Sequence, residues 1–242
     1  MIKKKTRLNN SLVFNTLKSP MHLNKMKFAN YNHKQELWNS ITHLIGVVFS
    51  IAITIVFVVL TAQRNLSFKY TYPFYIYTFT MFVVFFVSTF YHSMPLNSKI
   101  RTVSRVIDHL DIFLFVAGTY TPLCILGISN YPISLCVLIV EWVLAAIGIV
   151  LTLIGFNHKS VQIISYIIYL LAGWALIFVY PFNQCLPLTI FLFTLAGGIV
   201  YSIGAILYAV GKKYIWCHTI FHIFILGGAI LQFIGVLYLL FI

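Results

Sequence analysis

Acidic residues are nearly absent from this chain. Among 242 residues there are four, Glu36, Asp108, Asp111 and Glu141, and only 8% of the sequence is charged. Soluble domains average about 25% charged residues, so a soluble globular fold is excluded. Cysteine is also scarce. Cys124, Cys136, Cys185 and Cys217 show no C-x-x-C spacing and read as small apolar packing residues, with a Cys124–Cys136 bridge across one short loop as a weakly signalled alternative. The first 34 residues lack the apolar core that a secretory signal needs. Their basic, acid-free composition has something of an organelle presequence, but few arginines argue against one. No internal repeat or low-complexity tract is visible.

What is abundant is apolar surface. Hydrophobic residues make up 61% of the chain and the mean hydropathy is +0.96. Runs of about 20 apolar residues are the length of a membrane-spanning helix. Seven occur: Leu37–Ala62, Tyr72–His92, Leu110–Ile128, Ile133–Gly155, Val161–Tyr180, Leu186–Val210 and His218–Ile242. Connections such as "GISNYP", "NHKS" and "PFNQCLP" leave no room for a soluble domain. The pattern predicts an all-α integral membrane protein, a seven-transmembrane helix bundle over residues 37–242. Residues 1–36 are expected to be a basic, disordered cytosolic tail. Gly197, Gly204 and Gly211 at seven-residue spacing, and the pair Gly198 and Ser202, read as close-packing positions of the sixth helix.

The net charge of +12 does not imply nucleic acid, because half of the basic residues lie in the first 34 positions. A basic arm against anionic lipid is the expected partner. Lys and Arg favour the cytosolic side. With the N-terminus inside, fourteen of the sixteen fall on inner segments: eight in the tail, three at Lys99, Arg101 and Arg105, one at Lys159, and two at Lys212 and Lys213. Only Arg64 and Lys69 fall outside. This predicts a cytosolic N-terminus.

In that topology the polar residues converge. His92 ends the second helix at the inner face, Asp108 and Asp111 open the third there, and His218 and His222 open the seventh. His43 lies in the inner half of the first. Histidine in a membrane helix is costly and ordinarily faces a protein interior. His218 and His222, four apart, share one helix face about 6 Å apart, the geometry of two ligands to one metal. His92 would be the third ligand, and three ligands with an open position is the pattern of catalytic zinc. Asp108 could take a proton from water activated there, or orient a ligand imidazole. Ser88, one turn deeper than His92, would hydrogen-bond that carboxylate or the water. Haem is the rival ligand, but an i, i+4 pair cannot supply both axial histidines, so haem needs His92 or His43 and leaves one histidine unexplained. His43 is expected instead to hydrogen-bond a neighbouring helix.

These residues resemble a known family. "ELWNSITHLIG" (Glu36–Gly46), "STFYHS" (Ser88–Ser93), "DHLDIFLFVAGTYTP" (Asp108–Pro122) and "HTIFH" (His218–His222) are similar to the haemolysin III family, which belongs with the progestin and adiponectin receptors and more remotely with the alkaline ceramidases. The resemblance covers about residues 36–242. It implies a seven-helix fold with a cytosolic N-terminus and zinc on His92, His218 and His222, with Asp108 and Ser88 at the family's acidic and hydroxyl positions. Asp111 departs from the pattern and could share the site. Cys217 could compete as a soft ligand. Glu141 has no family role and is expected to snorkel or pair between helices. Three functions follow as expectations: a zinc-dependent hydrolase of lipid amides or esters, a lipid or hormone receptor with zinc as a structural clamp, and a cytolytic pore-former. The last has the least support, since no helix shows a polar stripe able to line a channel.

Overall fold

The computed structural model describes residues 31–96, 98–178, 182–210, 214 and 216–242. The tail up to residue 30, and with it most of the basic arm, lies outside the described residues, as do Gly211, Lys212 and Lys213. Among the described residues the structure is all-α. The long helices are α1 (His33–Gln63), α2 (Phe68–Ser93), α3 (Lys99–Pro122, continued by a π-helical turn Leu123–Gly127), α4 (Ile133–Gly155), α5 (Lys159–Gly173), α6 (Leu188–Val210) and α7 (Cys217–Tyr238). Six of them, all but α5, are long and apolar enough to cross a membrane.

The expected fifth span, Val161–Tyr180, is not one continuous helix. α5 is a 15-residue apolar helix ending at Gly173. Trp174 breaks it, and two four-residue turns, Ala175–Phe178 and Phe182–Cys185, follow. Glycine disfavours a helix interior, and here the Trp174 indole donates sideways to Ser202 Oγ at 3.0 Å.

Successive helices pack in order, α1 on α2, α2 on α3, α3 on α4 and α4 on α5; α6 packs on α7, and α7 closes back on α1. Between membrane helices the attraction comes from close packing and interhelical hydrogen bonds rather than from escape from water. Both are present where α1 meets α2. Ser40 and Ser93 hydroxyls lie 2.7 Å apart, and a Cβ on Gly46 would fall within the Phe85 ring, so only glycine admits that approach. Gly197 and Gly204 meet α7 at Gln232 and Phe224, as their spacing predicts, whereas Gly198 borders open space. The perimeter is lined by large apolar side chains such as Ile51, Phe79, Leu135 and Ile206, the surface that a bilayer solvates. All four cysteines are free, so no Cys124–Cys136 bridge forms.

Two boundaries bear on function. α1 begins at His33, four residues before the expected Leu37, so Glu36 is helical rather than the last residue of a tail. α3 begins at Lys99, so Lys99, Arg101 and Arg105 stand on a helix and not in a loop. Arg101 is only 1% exposed. It is a buried ion-pair partner, and the charge bias on that side is weaker than the bare count suggests.

Candidate metal centre

The start of α1 sets the register of the site. Asn32 Oδ1 accepts from the Gln35 backbone N–H at 2.9 Å, and Gln35 Oε1 accepts from the Asn32 backbone N–H at 2.9 Å. This reciprocal cap fixes the first turn. Glu36, Asn39 and His43 then recur at helical spacing on one buried face.

Three imidazoles from two other helices meet that face. His92 sits one residue from the end of α2, and His218 and His222 occupy the first turns of α7. His218 Nε2 is 3.3 Å from His92 Nε2 and 3.1 Å from His222 Nε2. Among the described residues these three form the group able to hold a metal ion, with one ligand atom each, all within 4.8 Å of one another. Two nitrogens bound to one tetrahedral zinc at about 2.0–2.1 Å stand about 3.3 Å apart, which matches the two distances.

The outer nitrogens explain why the inner ones gather. His92 Nδ1 lies 2.6 Å from Glu36 Oε2, and a carboxylate accepts, so the proton belongs on Nδ1. His222 Nδ1 lies 3.2 Å from the Asn39 carbonyl oxygen, which again only accepts. In the neutral rings both Nε2 atoms therefore present lone pairs to one point. Lone pairs so gathered are the donor set that a metal ion takes, and the carboxylate and carbonyl behind them hold the rings in the ligating tautomer. Asn39 is itself held by Thr219, whose hydroxyl donates to Asn39 Oδ1 at 2.6 Å.

Tyr31, just before α1, covers His218. The rings stack at 4.9 Å with 19° between planes. Burial, then the neighbouring Tyr91 and Glu36, push the Tyr31 phenol above its ordinary pKa, so it stays neutral.

Ser88, one turn before His92, donates to the Asp108 carboxylate. His109 Nδ1 is 3.8 Å from Asp108 Oδ2. The two aspartates differ in access: the Asp108 side chain keeps 17% exposure, while Asp111 keeps 1% and its carboxylate oxygens have no hydrogen-bond partner among the described residues. Of the two, Asp108 is the more accessible. Neither Asp111 nor Cys217 belongs to the candidate ligand group.

Two expectations need correction. His43 does not hydrogen-bond a neighbouring helix. Among the described residues both of its ring nitrogens lack a partner, and the ring packs edge-on against His222 at 3.9 Å and tilted on Phe85 at 5.4 Å. The absence of a side chain at Gly46 lets Phe85 pack close to α1, and its ring lies against His43. Glu141 does not snorkel. It is 2% exposed, and its Oε2 lacks a partner among the described residues. Its Oε1 is not among the unpartnered buried atoms, so the alternative expectation, pairing between helices, is not overturned.

Glu36, Arg101, Asn39 and Tyr31 escaped sequence reasoning as parts of the site. The available signal was Glu36, the only acid before Asp108.

Comparison with known proteins identifies the family. The family model described as Haemolysin-III related matches residues 31–233. The chain is 33% identical over 206 residues to Hemolysin-3 of Bacillus cereus, covering 85% of this chain and 91% of that protein. It is 36% identical over 206 residues to the Hemolysin-3 homolog of Bacillus subtilis (strain 168), covering 85% and 94%. The match takes in every residue of the histidine centre, and on this ground the chain belongs to the haemolysin III family of multi-pass membrane proteins.

Proposed function

We propose that the chain is a zinc-dependent hydrolase of lipid amides or esters. The observation that carries this reading is the meeting of three Nε2 atoms from α2 and α7, with the Ser88–Asp108 pair one turn from His92. The ligands are nitrogen only and few, which suits zinc with a position left for substrate. Bound there, zinc would polarise a carbonyl and make water more acidic. The remaining work falls to the chain. Asp108 accepts the proton of the attacking water and returns it to the leaving amine or alkoxide. Ser88, by donating to that carboxylate, holds its orientation. The lipid-facing bundle supplies the apolar surroundings that an acyl chain requires.

The proposed topology has seven crossings, with α5 and the turns after it making the fifth, and a cytosolic N-terminus. The histidine centre then lies near the cytosolic face, and the basic residues before α1 lie against anionic lipid.

A receptor or sensor with the metal as a clamp is the second reading. The stacking of Tyr31 on His218 favours it, because a shielded metal tying α2 to α7 is what a clamp needs. Cytolysis, which the relatives' name suggests, has no supporting feature in the helix faces among the described residues. Offering purified, zinc-loaded protein a panel of ceramides, lysolipids and simple esters separates the first two. Fatty acid release supports the hydrolase; none from a fully loaded protein favours the sensor.

A further inference from the structure

Arg101 is the least expected group near the histidine centre. It carries a permanent charge, lies in the first turn of a membrane-spanning helix, and is 1% exposed. A charge so placed is costly unless it is paired and its donors are used. Its Nη2 is paired with Glu36 Oε1. Its Nη1 donates to the Met94 carbonyl at 2.9 Å and the Tyr91 carbonyl at 3.3 Å. Its guanidinium carbon lies 4.7 Å from the centre of the Tyr91 ring.

These contacts share one target. The Tyr91 and Met94 carbonyls belong to the last turn of α2, where backbone acceptors have no helical partner and a positive charge complements the helix end. His92 lies between them. Glu36 divides its two oxygens, one to Arg101 and one to His92 Nδ1 at 2.6 Å. Arg101 thus grips the main chain on both sides of His92 and, through Glu36, the outer nitrogen of the His92 ring. The residue is itself anchored, since Ser98 Oγ accepts from its backbone N–H at 3.1 Å.

We propose that Arg101 and Glu36 are positioning residues of the metal centre, acting as one unit that fixes both the backbone and the tautomer of His92. The inference rests on the metal reading above and extends it beyond the ligands. Without the Glu36 charge, His92 is free to carry its proton on Nε2, and that tautomer cannot ligate. Without Arg101, Glu36 loses the partner that aims it and the end of α2 loses its cap. An ordinary structural ion pair would affect stability alone. A positioning pair must also affect how the metal is held.

The test uses the full-length protein in detergent, with Co²⁺ as the probe. Affinity is read by competition with a chelator and ligand geometry by the visible d–d absorption. Glu36→Gln is expected to weaken Co²⁺ binding about 10–100-fold and to shift the absorption band. Arg101→Gln is expected to move both in the same direction. The double variant should lose little more than the worse single variant, because both act through His92. If either single variant does not fold, Glu36→Asp and Arg101→Lys, which keep the charges and change the reach, decide by the same spectrum. Affinities within two-fold of the parent and superimposable spectra would overturn the proposal. Failure of the unmodified protein to bind Co²⁺ would instead overturn the metal reading beneath it.

Discussion

Replacing Asp108 by asparagine removes a charge and very little else. The side chains have nearly the same shape, Ser88 can still donate to the remaining carbonyl oxygen, and the three histidines are untouched. If Asp108 handles the proton of the attacking water, Asp108→Asn should keep its metal and lose turnover by about 10²–10⁴-fold. At about 1.36 kcal/mol per tenfold, that is roughly 2.7–5.4 kcal/mol of barrier. Asp111→Asn supplies the internal comparison. Asp111 is 1% exposed and outside the ligand group, so its loss should change turnover far less. The assay is fatty acid release from whichever lipid the unmodified protein cleaves, with metal content measured on the same preparations. Full turnover by Asp108→Asn would refute that role. It is also refuted if metal and stability fall together with no separate loss in rate, for then the carboxylate only holds Ser88 and His92 in place.

His222→Ala should lose most of its metal, because structural zinc worth about 10–16 kcal/mol over four ligands implies roughly 3 kcal/mol, or a hundredfold, per ligand; elemental analysis after gel filtration measures it. His43→Ala should keep its metal, and its melting point should move little, since lost packing is offset by removal of two unpartnered nitrogens. Tyr31→Ala should speed metal removal by a chelator while Tyr31→Phe should not, because the stacked ring and not the hydroxyl covers His218. A C-terminal tag on sealed, cytosol-side-out vesicles should resist protease; its digestion would reverse the proposed topology.

The candidate ligand trio is legible in the sequence because its signal is local. Two histidines four apart on an apolar run can face only one way together, and His92 closes another run that must end at the same depth. Support for the trio was hidden because it is made by residues distant in sequence. Glu36 and Arg101 are 65 residues apart, and nothing in either neighbourhood says that they touch. Arg101 also looked like an ordinary cytosolic loop charge because the apolar run of α3 begins only at Leu110, whereas the helix begins eleven residues earlier. The break after Gly173 was missed for the opposite reason: hydropathy continues across it while the helix does not. His43 was misjudged because a polar side chain in lipid was expected to find a partner. The close approach at Gly46 puts Phe85 there instead.

X-ray absorption at the zinc edge of the purified, unmodified protein reads the metal and its ligands together. About one zinc per chain is expected, with three imidazole nitrogens at about 2.0–2.1 Å and a lighter oxygen contribution in the remaining position. A first shell containing sulfur at about 2.3 Å would place Cys217 among the ligands. That result, or correctly folded protein that takes up no stoichiometric metal, would contradict the three-histidine zinc centre.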